Sequence, residues 1–209
     1  MGDLVLYVDS NFESPWAMSA FVALEEKKLA YALETKVLSR KDTFAADYRA
    51  RTRRIPCLRH GDFWLAESSA IAEYLDEAFP DAPRLLPTDL KERAIAREIQ
   101  AWLRSGLQTI REERPSVTLW YARAKEPLSR QALEVLGRTL EAISPLIVEW
   151  RPTLFDQWCI ADLDLALFLQ RLNLNGTVLP PKVKAYAEAN WARPSAAKWH
   201  ALPRPAEPA

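Results

Sequence analysis

The sequence predicts an α/β domain followed by an all-α domain. Short apolar runs of strand length alternate with helical periodicity over the first third of the chain. Pro80 to Pro87 then places three prolines in eight residues and reads as a connection. Beyond it the strand signal disappears and the apolar spacing is helical throughout.

Each element has its own reason. Leu4 to Val8 is a continuous apolar run, as a buried strand requires. Ser14 is an N-cap and Pro15 a first helical residue, with Ala17, Phe21 and Leu24 on one face up to Glu25-Glu26-Lys27-Lys28. Tyr31 to Leu38 reads as a second strand and residues 43–53 as an irregular helix. Ile55 to Leu58 and Phe63 to Leu65 bracket the turn His60-Gly61-Asp62, a hairpin. Ser68 is expected to cap a helix running to Phe79. The order strand, helix, strand, helix, strand, strand, helix is the thioredoxin-type arrangement. The domains are set at residues 1–82 and 89–209, with residues 83–88 between them.

In the second domain Asp89, with Glu92 three residues on, resembles a reciprocal cap for one long helix through Ile110 that Pro115 ends. Further helices are expected at 129–149, with Pro145 kinking it, at 161–172 and at 182–191. Pro203, Pro205 and Pro208 predict a frayed tail.

Composition removes several functions. In 209 residues, 28 basic side chains balance 28 acidic ones, so no global positive field serves a nucleic acid or an anionic membrane. No apolar run approaches the ~18 residues of a membrane span. The opening MGDLVLYVDS has no basic stretch of an export signal, and two separated cysteines, Cys57 and Cys159, fit a reducing cytoplasm. Five scattered glycines make neither a phosphate-binding loop nor a dinucleotide fingerprint. The two histidines and two cysteines lack the spacing of a metal site, so no metal is expected.

Three short segments carry chemistry. In Ser14-Pro15-Trp16-Ala17 a serine stands where a thioredoxin-type redox protein needs a thiolate, which excludes disulfide exchange there. What remains is a hydroxyl at a helix N-terminus, either a plain cap or a stabiliser of another molecule's thiolate. Ile55-Pro56 is either an edge-strand proline or a cis-proline that turns the Ile55 backbone toward a bound peptide. Glu67-Ser68 is either a helix start or a grip for an amino-acid head group. Between residues 40 and 59, seven basic side chains (Arg40, Lys41, Arg49, Arg51, Arg53, Arg54 and Arg59) face only Asp42 and Asp47.

Ser-Pro before a helix, Ile-Pro before a hairpin and Leu65-Ala-Glu-Ser-Ser-Ala-Ile-Ala-Glu-Tyr-Leu75 together resemble the glutathione transferase superfamily, over the whole chain. Gln100 through Pro115 and Trp158-Cys-Ile-Ala-Asp-Leu-Asp-Leu-Ala-Leu167 look like the bacterial YfcF-type glutathione transferases. Cys159 departs from the Ser or Thr that commonly caps the latter helix, while Asp162 is retained.

The resemblance implies a thioredoxin-like glutathione-binding domain and an all-helical domain. It implies a glutathione transferase in which Ser14 donates to the glutathione sulfur and Ile55, held by cis Pro56, pairs with the cysteinyl part. Glu67 and Ser68 bind the γ-glutamyl end, and Arg54, then Lys41, the glycyl carboxylate. Glutathione is then a co-substrate, the second substrate an electrophile or an organic peroxide, and the protein a cytoplasmic homodimer. Trp16, Trp102 and Trp120 are candidates for the acceptor pocket. The competing expectation is a catalytically weak binding or scaffold protein on the same fold.

Overall fold

The computed structural model describes residues 4–49 and 51–208. Strands β1 (Leu4–Asp9), β2 (Ala32–Lys36), β3 (Cys57–His60) and β4 (Phe63–Ala66) form one sheet in the order β2-β1-β3-β4. β1 runs parallel to β2 and antiparallel to β3, and β3 pairs with β4 as a hairpin. Helix α1 (Pro15–Glu26) is the crossover that two parallel strands require, and α2 (Ser68–Ala78) follows β4. A 3₁₀ turn, Asp42–Phe44, replaces the irregular helix expected over 43–53. This is a four-stranded mixed sheet with helices, a thioredoxin-like domain, followed by a helical region: the predicted fold class.

The helical region contains α3 (Leu90–Ser105), α4 (Gln108–Glu113), α5 (Val117–Trp120), α6 (Arg130–Ile143), α7 (Ile160–Leu174) and α8 (Pro181–Trp191). Asp89 caps α3 by accepting the N–H groups of Lys91 and Glu92 at 2.9 and 3.0 Å. The single helix expected as far as Ile110 is broken at Gly106–Leu107. A Cβ on Gly106 would stand 2.6 Å from the Trp102 ring, so glycine is what lets that indole lie over the end of α3. α6 stops at Ile143, before Pro145, where the expected helix ran to 149.

α7 is buried from Ile160 to Leu172, which makes it the axis of the helical unit. Asp162 closes its N-terminus: Oδ2 accepts the Cys159 N–H at 2.8 Å, and Oδ1 accepts the Leu154 N–H at 2.6 Å and the Tyr186 hydroxyl at 2.8 Å. The capping box is formed with a cysteine at the cap.

The chain divides into two compact units, one running to Leu85 and including everything from Pro194 onward, the other Leu86–Arg193. Helix α9 (Pro194–His200) therefore packs in the first unit, where the sequence reading had continued the helical domain to residue 209. Trp199 is fully buried, edge-on to Phe12 and Phe21 at 5.6 and 5.3 Å. The chain beyond it stays anchored as far as Arg204, whose guanidinium donates to the carbonyls of Trp199, His200 and Phe12. Burial of one indole outweighs the local proline signal.

Candidate functional site

The sheet register brings the predicted segments to one end of the first unit. Tyr7 lies opposite Cys57, and Cys57 opposite Ala66. Pro56 and Glu67 are the residues next outward on β3 and β4, level with Val8, and β1 ends one residue further out at Asp9, paired with Lys36 of β2. The β1–α1 turn with Ser14, the Ile55–Pro56 segment, the Glu67–Ser68 step and the loop after β2 thus all leave the sheet at one edge.

Ser14 is the N-cap of α1 and half-buried. Its Oγ accepts the Ala17 N–H at 3.2 Å, which leaves the hydroxyl proton to be donated elsewhere. The turn before it is built on Asp9, which sequence reading passed over. The Asp9 carboxylate is 2 % exposed and accepts the N–H groups of Glu13 at 2.8 Å and Ser14 at 3.3 Å. Burial pushes its pKa up, while those N–H bonds and the Arg204 charge pull it back. Glu13 beside it is also raised, by burial first and by the Asp9 charge second.

The Ile55–Pro56 peptide bond is cis. Ahead of it the Arg54 carbonyl accepts the Tyr48 hydroxyl at 2.7 Å, and the Arg54 side chain is exposed. Tyr48 is itself held in an aromatic group on one sheet face: Tyr7 stacks on Trp64 at 5.2 Å, and Tyr48 meets both rings edge-on. The Lys36 ammonium lies 5.4 and 5.5 Å from the Tyr7 and Tyr48 ring centres. Lys41 is exposed in the left-handed region, with φ 59°. Arg53, with φ 52°, lies over the Phe44 ring at 5.0 Å.

Ser68 does not cap α2. Glu67 holds the cap position, exposed, with φ 75° and no side-chain bond to the helix, while Ser68 is the buried first helical residue. The hairpin thus runs into α2 one residue earlier than a serine cap implies, with a carboxylate at the helix's positive end.

The three tryptophans behave differently. Trp16 is half-buried in the first unit. In the helical unit Trp102 lines a cavity of about 340 Å³ with Ile95, Glu98, Ile99, Ile143 and Leu146. Trp120 stacks on Trp191 at 5.1 Å and does not line that cavity. Among the described residues no group of three or more His, Cys, Asp or Glu side chains is arranged to hold a metal ion, and no helix is long and apolar enough to cross a membrane.

Comparison with known proteins bears on the fold and the family. The model of the glutathione S-transferase N-terminal domain matches residues 13–78, and that of the C-terminal domain residues 89–204. A solved structure of a glutathione transferase homologue from Burkholderia gl BGR1, with bound glutathione, is 41% identical, with TM-score 0.78 over 95% of this chain and 96% of that one. The tau class glutathione S-transferase of mango, Mangifera indica, shares the fold at 23% identity and TM-score 0.75, over 94% and 92% of the two chains. Glutathione S-transferase U13 of Arabidopsis thaliana is 36% identical over 89 residues, 42% of this chain and 39% of that protein. The chain spans about two fifths of the length of the first curated relatives it matches.

Proposed function

We propose, from the premise that the chain belongs to the glutathione S-transferase family, that it binds glutathione in its first unit and conjugates it to an electrophile, with the Ser14 hydroxyl stabilising the glutathione thiolate. The convergence of Ser14, Ile55–Pro56 and Glu67–Ser68 at one sheet edge carries this reading. A tripeptide laid along that edge finds a partner for each part. Ser14 donates to the sulfur, the Ile55 backbone pairs with the cysteinyl residue, and Glu67 with the Ser68 N–H takes the γ-glutamyl head. Arg54, and after it Lys41, is the cation for the glycyl carboxylate.

The magnitudes are sufficient. A thiol of pKa ~8.5 is roughly 3% thiolate at neutral pH, and lowering it by ~2 units takes about 2.7 kcal/mol. One hydrogen bond to a charged group contributes about 1.5–3 kcal/mol, and the N-terminal dipole of α1 adds to it. The thiolate sulfur then gives its electron pair to the electrophilic carbon, and the leaving group departs with the bonding pair. With an organic hydroperoxide the thiolate attacks oxygen and the O–O bond breaks. The alkoxide takes a proton, and a second glutathione reduces the sulfenic acid to disulfide and water.

Trp102 is the best-supported of the acceptor candidates Trp16, Trp102 and Trp120, because it lines an apolar cavity. The segments Gln100–Pro115 and Trp158–Leu167 support a YfcF-type assignment within the family. A cytoplasmic homodimer is part of the same proposal.

Ser14→Ala tests the mechanism by titrating the thiolate absorbance of bound glutathione. The bound thiol should return toward ~8.5 with affinity nearly unchanged. An unchanged thiol pKa removes the role from Ser14 and passes it to Ser10. A wild-type protein that neither binds a glutathione column nor turns over an electrophile panel is a scaffold on this fold.

A further inference from the structure

We propose that Arg204 is a positioning residue for the reaction: through Phe12, it holds the strained turn on which Ser14 stands. This rests on the reading that the Ser14 hydroxyl meets the glutathione sulfur. Phe12 lies between β1 and α1, two residues before Ser14, and its φ is 51°. That is the left-handed region, which a bulky side chain adopts only where its surroundings impose it. Glycine or asparagine would accept this conformation readily. A phenylalanine there needs compensating contacts.

Those contacts come from both ends of the chain. Locally, the Asp9 carbonyl accepts the Phe12 N–H at 3.1 Å, and the Asp9 carboxylate accepts the next two, those of Glu13 and Ser14. From 192 positions away, Arg204 Nη2 donates to the Phe12 carbonyl at 3.1 Å. The Phe12 side chain is buried and meets the fully buried Trp199 ring edge-on at 5.6 Å. The N–H, the C=O and the ring of this one residue are each fixed, the last two by the C-terminal segment.

A second set of bonds places Arg204 for the task. Nη1 donates to the His200 carbonyl at 3.0 Å and Nη2 to the Trp199 carbonyl at 3.2 Å, at the end of α9. A planar guanidinium with several fixed N–H groups can bridge a helix end and a turn at once. Its charge also helps keep the buried Asp9 carboxylate ionised. The docking of α9 has other supports: Ser195 pairs with Glu26 and Lys198 with Glu25, both on α1, besides the burial of Trp199. Removing the guanidinium therefore releases the Phe12 carbonyl while α9 stays in place, and the Ser14 hydroxyl moves off the sulfur.

The test compares wild type, Arg204→Ala, Ser14→Ala and the double variant. It reads the thiolate absorbance of bound glutathione, glutathione affinity, and kcat with a chlorodinitrobenzene as electrophile. Arg204→Ala should raise the pKa of the bound thiol by about 1, lower kcat at neutral pH about 3- to 10-fold and change affinity by no more than about threefold. In the Ser14→Ala background it should add no further rise, because it acts through Ser14. Lys198→Ala removes an exposed tie of α9 without touching the Phe12 carbonyl, so its bound thiol should titrate as wild type does. Arg204→Lys keeps the charge without the fork and gives the same reading where alanine does not fold; its thiol should also rise.

The proposal is overturned if neither Arg204 variant raises the thiol while Ser14→Ala does, and the serine reading then stands. It is overturned if Lys198→Ala raises the thiol as far, since Arg204 then serves only the docking of α9, or if the two substitutions add. If wild type does not bind glutathione, or Ser14→Ala leaves the thiol unmoved, the transferase reading fails first and this proposal falls with it.

Discussion

The Asp9 carboxylate accepts the backbone N–H of Ser14 at 3.3 Å, and its second oxygen holds the N–H of Glu13 at 2.8 Å. The residue proposed to touch the glutathione sulfur therefore stands on a turn shaped by a buried acid five positions earlier. From the other side, Arg204 holds the Phe12 carbonyl of that turn at 3.1 Å.

Asp9→Ala leaves two N–H groups of the turn without their acceptor, each bond to a charged group being worth about 1.5–3 kcal/mol. Turnover should fall more than glutathione affinity, because the displaced group is the sulfur's partner. Asp9→Asn tests the electrostatics. Burial raises Asp9 above its ordinary 3.8, so the native state holds this proton more tightly than the unfolded chain. Its contribution to stability is therefore largest below that value and declines as pH rises through the raised pKa. Melting temperature against pH should decline less over this window in Asp9→Asn, and parallel curves would reject the account.

Tyr48→Phe removes the hydroxyl that holds the Arg54 carbonyl at 2.7 Å and keeps the ring among Tyr7, Trp64 and Lys36. On the proposed reading, Arg54 and Ile55 then lose their placement. Loss of a bond worth about 0.5–1.5 kcal/mol should weaken glutathione about 2- to 10-fold. Equal affinity, measured by calorimetry, means the bond serves only the loop.

Lys27 is fully buried and donates to Asp76 Oδ1 at 3.1 Å and to the Phe79 carbonyl at 2.9 Å, while the same Asp76 oxygen accepts the Leu85 N–H at 2.8 Å. Lys27→Met removes the cation of this buried ion pair and should cost about 3–5 kcal/mol in denaturant unfolding. A loss below 1 kcal/mol would show that solvent reaches Asp76 once the lysine is gone.

Cys57 and Cys159 are both buried, and burial raises both thiols, Cys57 to about 11. Neither should react with a disulfide reagent at neutral pH in the native protein, and both should titrate once denaturant unfolds it. A fast native thiol would contradict the packing around β3 or the start of α7.

Local chemistry determined much of this protein without reference to any distant contact. Ser14-Pro15 sets the start of α1, His60-Gly61-Asp62 the hairpin, and Asp89 the start of α3, because caps and turns depend on residues within one helical turn of each other. The family and the segments of the candidate site were legible for the same reason: Ser-Pro, Ile-Pro and Glu-Ser are short patterns. Tertiary structure alone decided where those segments meet, since only strand register brings Pro56 and Glu67 to the end of the sheet where β1 finishes at Asp9. It also decided that Glu67, not Ser68, holds the cap position of α2, and that Asp9 and Tyr48 support the site. The burial of Trp199 against Phe12 and Phe21, which brings α9 into the first unit, was equally invisible in sequence. Burial and long-range pairing are properties of the packed chain, and no window of a few residues contains them.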